Sequence, residues 1–191
     1  MANFNITYEE VLGWIRQSCT HVSADSLELL TKARDAETNP GAVAMLSSML
    51  ENVQLADQQD KPVCQSPGFP TVYISFGSEE GVDRLSEYIP QALVEATGKG
   101  YARPSIVHSL TRHNPGNNAG DGVPNFEYKY KPGQKFIEMI LSFKGCGAEL
   151  GNIYKTMTTA QLGDNLKGLK DLVYETVINA GGMPCPPSAI G

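Results

Sequence analysis

The sequence predicts an α+β fold, with an N-terminal helical part packed on a small mixed or antiparallel sheet with flanking helices. Three observations carry this. Apolar residues recur at helical spacing from Tyr8 to Val53. The period then switches to strand-like alternation in TVYISFG, residues 71–77, and again in FEYKYKPGQKFIEMILSF, residues 126–143. Helical spacing returns between and after those stretches. A chain of 191 residues is long enough for one compact domain with a core, and 41% hydrophobic with 19% charged residues is ordinary for a globular protein.

Taken in order, Thr7 followed by Glu10 reads as a capping box that opens the first helix. Tyr8, Val11, Leu12, Ile15 and Cys19 then share one face, which makes Cys19 a small core residue. A second helix is expected from Ser23 toward Ala36, with Leu27 and Leu30 inward. In ETNPGAVAMLSSMLENVQLA, Asn39 is the N-cap of a third helix. Pro40 takes its first position, where no N–H is needed. Val43, Leu46, Leu50 and Val53 form its stripe.

Val72, Ile74 and Phe76 place one face of a half-buried strand inward, and Val82, Leu85, Ile89 and Leu93 line the helix that follows. Phe126, Tyr128 and Tyr130 alternate, Pro132 and Gly133 suit a type II turn, and Ile137, Met139, Leu141 and Phe143 alternate again. That pattern predicts a β-hairpin. A last helix is expected from about Thr159 to Asn179, with Leu162, Leu166, Leu169 and Val173 aligned, stopped by Gly181 and Gly182.

Composition narrows function. A net charge of −6 without a basic run argues against nucleic-acid binding. No apolar run approaches the roughly 20 residues of a membrane span, and MANFNITYEE does not read as a secretory signal. The expected location is cytoplasmic, with no membrane partner. Four cysteines, Cys19, Cys64, Cys146 and Cys185, are then expected to be reduced, and none forms a C-x-x-C pair.

The irregular segments are where chemistry is expected, because loops held by a rigid scaffold carry most sites. They are KPVCQSPGFP (61–70), TRHNPGNNAGDGVPN (111–125), KGCGAELG (144–151) and the closing GGMPCPPSAIG (181–191). Cys64 and Cys185 both sit among prolines. Arg112 beside His113 reads equally as a surface pair or as part of a site.

In this order the segments resemble the iron–sulfur hydro-lyases, class I fumarate hydratase and the alpha subunit of L(+)-tartrate dehydratase, in their N-terminal region. ETNP is similar to that family's E-x-N-P, KPVCQSPG to P-x-C-Q-D-T-G, and TRHNPGNN to T-R-x-N-T-G-x-N. KGCGAELG is similar to K-G-x-G-S-E-N, and AGGMPCPP to the closing A-G-G-x-P-C-P-P. The resemblance implies that residues 1–191 form a single, partial domain of this family. It implies a [4Fe–4S] cluster with Cys64 and Cys185 as two of three thiolate ligands and the third cysteine outside this chain. The iron without a protein ligand would act as a Lewis acid while water adds to, or leaves, a small hydroxy dicarboxylate. Arg112 would grip a substrate carboxylate with two parallel bonds. Gln65 would contact substrate, and the backbone at Gly145 and Gly147 would approach it closely. Both cysteine loops and Arg112 would then face one cleft.

The resemblance further implies a beta subunit or C-terminal swivelling domain as partner, an oligomeric assembly, and no activity from this stretch alone. Departures from the motifs bear on catalysis. Ser66 stands in place of an aspartate implicated in acid–base work, and a hydroxyl is a poor substitute. Ala148 and Leu150 replace serine and asparagine, and Pro67 and Pro115 each replace a threonine. These substitutions, with the missing third ligand, favour an alternative: a non-catalytic binding or assembly subunit that keeps the fold.

Overall fold

The computed structural model describes residues 5–64, 69–145, 151 and 153–184. The chain divides into two compact units, residues 1–144 and 145–191. The first holds α1 (Tyr8–Thr20), α2 (Ala24–Ala36), α3 (Pro40–Gln59), β1 (Phe69–Phe76), α4 (Val82–Gly98), β2 (Asn125–Tyr130) and β3 (Glu138–Lys144). This is the α+β architecture that the periodicities predict. Among the described residues no helix is long and apolar enough to cross a membrane.

The helices of this unit begin where their caps say they should. The capping box at Thr7 is complete: its side chain accepts from the Glu10 N–H, and the Glu10 carboxylate accepts from the Thr7 N–H at 2.9 Å. Asn39 caps α3 by accepting from the N–H groups of Gly41 and Ala42, with Pro40 at the first helical position. Val11, Ile15 and Cys19 of α1 meet Leu85, Ile89 and Leu93 of α4 and Val72 and Ile74 of β1 in one buried cluster. Cys19 is a core residue, as its spacing predicts. Burial pushes its thiol up to about 12. Of the pair expected inward on α2, Leu30 is buried but Leu27 is 37% exposed. Leu27 does face α3, where it lines a shallow depression with Leu50 and Val53, but among the described residues its outer side stays exposed.

The sheet differs from the expected hairpin. Its order is β2-β1-β3, with β1 parallel to β2 and antiparallel to β3. The predicted turn exists: Gln134 N–H donates to Lys131 O at 3.1 Å, and Gly133 takes φ +82°, as a type II turn requires. Yet β2 and β3 do not pair, because the more apolar β1 lies between them. Residues 131–137 instead cross over the end of β1. Lys131 N–H donates to Phe76 O at 2.8 Å, and Gln134 Nε2 donates to Ser75 O at 2.9 Å and to Phe136 O at 2.7 Å. Gly77 lies directly beneath. A Cβ there would stand 2.2 Å from Gln134 O and 2.7 Å from its N.

In the second unit the single expected helix is broken. It comprises α5 (Thr159–Leu162), a 3₁₀ turn (Asp164–Leu166) and α6 (Lys167–Ala180). Gly163, with φ +66°, ends α5, and Asn165 and Leu166 also adopt positive φ. The kink rotates Leu166 and Leu169 into exposure, while Leu162 and Val173 stay half-buried. Gly168 permits the close return, since a Cβ there would lie 2.0 Å from Gln161 O. Gly181, with φ +55°, stops α6 as predicted.

Two outcomes follow from this packing. Gly77→Ala must displace backbone of the crossing segment, and should destabilise the first unit by about 1–3 kcal/mol in urea unfolding. The second concerns Tyr8, whose hydroxyl donates to Glu95 Oε2 at 2.7 Å and ties α1 to α4. Burial, then the bond to Glu95, pushes Tyr8 from 10.0 up to about 12. The folded state therefore holds this proton more tightly than the unfolded state. Its contribution is complete below about pH 10 and disappears as pH rises through about 12. Unfolding curves across that window should lose this alkaline decline in Tyr8→Phe.

Candidate active site

The sheet register decides where the irregular segments go. Thr71 of β1 pairs with Asn125, the first residue of β2, and Phe69 pairs with Lys144, the last residue of β3. The Cys64 segment enters β1, the Arg112 loop enters β2, and the chain leaves β3 toward Gly145. All three therefore meet the sheet at the same end. Parallel pairing of β1 with β2 requires a crossover, and α4 supplies it, returning the chain to that end.

Side chains fasten the first two segments there. The Arg16 guanidinium bonds to Asp60 Oδ1 at 2.7 Å, at the C-cap of α3, and lies 5.7 Å from the centre of the Tyr101 ring. Lys61 Nζ lies beside Gly100, 3.9 Å from where a Cβ would stand. Just before Cys64, both backbone groups of Val63 are committed. Its N–H donates to Cys19 O at 3.1 Å, and its carbonyl accepts from Asn52 Nδ2 at 2.7 Å. The Cys64 thiol, which is half-buried, thus follows a residue fixed to both α1 and α3.

The loop between α4 and β2 is held by asparagines. Asn118 is 3% exposed and uses all of its amide. Its Oδ1 accepts from the N–H groups of Ser105 (2.9 Å) and Ile106 (3.2 Å). Its Nδ2 donates to Arg103 O (2.6 Å) and to Thr97 Oγ1 (3.2 Å) on the last turn of α4. Its φ of +56° is a conformation that asparagine tolerates better than most residues. Asn114 makes a second anchor: Nδ2 donates to Pro104 O and Oδ1 accepts from Gly116 N–H, both at 2.8 Å.

Arg112 projects from the turn at residues 108–113 and is exposed. Its backbone is left-handed, with φ +59°, which costs a non-glycine residue about 1–2 kcal/mol. Bonds around His108 offset this. His108 O accepts from Arg112 N–H (2.9 Å), and His108 N–H donates to His113 O (2.8 Å). His108 Nδ1 accepts from the N–H groups of Leu110 (3.2 Å) and Thr111 (3.1 Å). At roughly 0.5–1.5 kcal/mol each, less where water competes, these bonds are enough to hold the turn.

Gly145 is half-buried and opens the second unit. Gln65, Gly147 and Cys185 lie outside the described residues, as do Ser66, Pro67, Cys146, Ala148 and Leu150. The expected meeting of Cys64 with Cys185 therefore also lies outside them. Among the described residues no group of three or more His, Cys, Asp or Glu side chains is placed to hold a metal ion.

Residues 8–191 match the family described as fumarate hydratase (fumerase). The chain belongs to this family. A protein of Methanocaldococcus jannaschii provisionally named L(+)-tartrate dehydratase subunit alpha is 30% identical over 185 residues, covering 95% of this chain and 64% of that protein. A provisionally named class I fumarate hydratase of Geobacillus stearothermophilus is 30% identical over 191 residues, covering 96% of this chain and 37% of the relative. The L(+)-tartrate dehydratase subunit alpha of Escherichia coli K12 is 26% identical, with 96% of this chain and 60% of the relative covered. The chain thus spans between about a third and two thirds of the length of these relatives.

Two of the motifs that resemble those of the fumarate hydratase family act here as fold devices. In ETNP, Glu37 Oε1 accepts from the N–H groups of Thr38 (2.8 Å) and Asn39 (2.9 Å), just ahead of the Asn39 cap. Those bonds hold the Glu37 carboxyl below its ordinary value. In TRHNPGNN, Asn114 and Asn118 lock the loop that carries Arg112. Sequence reasoning singled out Arg112 and passed over both asparagines. The signal was present, since asparagines flanking glycine in a polar loop are residues that bond local backbone. Replacing the buried Asn118 with Ala removes the partner of the Ser105 and Ile106 N–H groups, in part-buried bonds, and should cost about 1–3 kcal/mol in denaturant unfolding. Asn114→Ala, in an exposed part of the loop, should cost less.

Proposed function

We propose that this chain forms the alpha-subunit part of a hydro-lyase that adds water to, or removes it from, a small hydroxy dicarboxylate of the malate or tartrate type. A single observation supports this most: the sheet register gathers the Cys64 segment, the Arg112 loop and the exit toward Gly145 at one end of the sheet. Membership of the fumarate hydratase family supplies the reaction class.

In this reading Cys64 and Cys185 are two ligands of a [4Fe–4S] cluster. The donor chemistry at Cys64 fits. Its thiol is half-buried and follows a residue whose N–H and carbonyl are both bonded. Cys19, by contrast, sits in the core with its thiol pushed up to about 12, so it is unsuited to binding as a thiolate. The cluster, when bound, supplies a Lewis-acidic iron for the substrate hydroxyl. Arg112 binds one substrate carboxylate through its planar fork. Gln65 donates to or accepts from the substrate, and the backbone at Gly145 and Gly147 closes on it without side chains in the way. The third thiolate comes from outside residues 1–191, and the remaining catalytic groups come from a beta subunit or swivelling domain, in an oligomeric assembly.

The test is anaerobic reconstitution of the protein with its partner, using iron and sulfide, followed by visible absorption and turnover of fumarate, malate and tartrate. Cluster absorption that depends on Cys64 and Cys185, together with turnover, is the expected result. A protein that takes up no cluster and turns over none of these acids contradicts it. Arg112→Lys should weaken dicarboxylate binding by about 1.5–3 kcal/mol, because the charge stays but the fork is lost. Unchanged affinity would make Arg112 a surface residue only.

A further inference from the structure

We infer that His108 is a positioning residue for Arg112, acting through the ring nitrogen and carbonyl that hold the turn between them. The inference rests on the reading of Arg112 as the carboxylate-binding residue. It deepens that reading by naming what sets the direction of the guanidinium.

The geometry is specific about the form of the ring. Two backbone N–H groups, those of Leu110 and Thr111, point at His108 Nδ1 from 3.2 and 3.1 Å. A backbone amide can only donate, so Nδ1 must offer a lone pair and the ring proton must sit on Nε2. One residue further on, Arg112 N–H donates to the carbonyl of the same histidine at 2.9 Å. Three successive amides, 110, 111 and 112, are therefore all satisfied by His108. His108 N–H in turn donates to His113 O at 2.8 Å, which closes the turn from the other side. This arrangement accommodates the left-handed backbone of Arg112, with φ +59°, in a residue type that rarely adopts it. Asn114 and Asn118 fix the loop to Pro104, Arg103 and α4, but neither reaches residues 109–112. Without the Nδ1 acceptor, the turn carrying Arg112 keeps its backbone bonds and the long bond from His113 N–H to Thr111 Oγ1 at 3.4 Å, while the amides of Leu110 and Thr111 lose their partner and the turn can relax. An exposed arginine on a relaxed turn keeps its charge and loses its aim.

An acceptor at this place need not be an imidazole. Asparagine offers a side-chain oxygen that bonds backbone N–H groups two and three residues ahead. His108→Asn should thus preserve the turn, whereas His108→Ala should lose it.

Two measurements on the full-length protein with its partner decide the matter. The first is ¹⁵N NMR of the His108 ring together with hydrogen exchange at Leu110 and Thr111. A neutral ring protonated at Nε2, with both amides protected and the protection lost in His108→Ala, is expected. The opposite tautomer, or unprotected amides, overturns the inference. The second is the dissociation constant for fumarate and for L-tartrate, with KM and kcat, in His108→Ala, His108→Asn and Arg112→Gln. His108→Ala should weaken binding on the order of tenfold, seen in KM more than in kcat. His108→Asn should stay close to the parent protein. If Arg112→Gln weakens binding and His108→Ala does not, His108 has no positioning role while the reading of Arg112 stands. If Arg112→Gln leaves binding unchanged, that reading fails and takes the inference with it. If Ala and Asn at position 108 are equally impaired, the role of the Nδ1 acceptor is refuted.

Discussion

Everything proposed for this protein depends on β1 lying between two strands of opposite direction. Parallel pairing with β2 and antiparallel pairing with β3 bring the start of β1, the start of β2 and the end of β3 to one edge. The hairpin that the sequence suggests would also have brought the start of β2 and the end of β3 together, but without the start of β1 between them. The constraint is met at the opposite edge, where the chain from β2 to β3 must clear the end of β1. Gly77 makes room for Gln134, whose amide then bonds to Ser75 and Phe136. A residue at the far end of β1 thus permits the crossing that this topology needs.

The helical part was legible because its signals are local. Thr7 with Glu10 and Asn39 with Pro40 act within four residues of themselves, and the structure shows both caps in place. The stripe from Val82 to Leu93 is buried throughout. Strand pairing is not a local property. Alternation at 126–143 and the turn at Gly133 are both present, but neither says whether the flanking strands meet each other or a third strand. The last helix failed for a related reason. Its apolar spacing continues across Gly163, while the left-handed backbone at Gly163, Asn165 and Leu166 interrupts the helix. Leu27 shows the limit of periodicity, which names the face a residue lies on but not whether anything covers it.

The candidate site divides in the same way. Arg112 and Cys64 could be picked out because their neighbours in sequence match motifs. The residues that hold them could not be picked out so easily, because their partners lie elsewhere in the chain. Asn118 reaches back to Thr97, and Asn52 reaches forward to Val63. Asn52 fixes the backbone next to Cys64, and Asn118 ties the loop that carries Arg112 to α4. His108 does so over a shorter range, and its role depends on which ring nitrogen accepts, something only the folded turn specifies. The exposed anchoring ion pair between Arg16 and Asp60 adds little stability by itself. It acts with the buried Asn118 amide to keep two loops at one edge of the sheet.

The central proposal is that Cys64 and Arg112, brought to this end of the sheet, serve one cluster-dependent dicarboxylate site. An anaerobic crystal structure of the full-length protein with its partner, reconstituted with iron and sulfide and soaked with a dicarboxylate, tests it most directly. The account predicts the Cys64 and Cys185 sulfurs on one cluster, with the Arg112 guanidinium paired to a carboxylate of the bound acid. The two sulfurs on opposite faces, or Arg112 turned to solvent with the acid bound elsewhere, would contradict it.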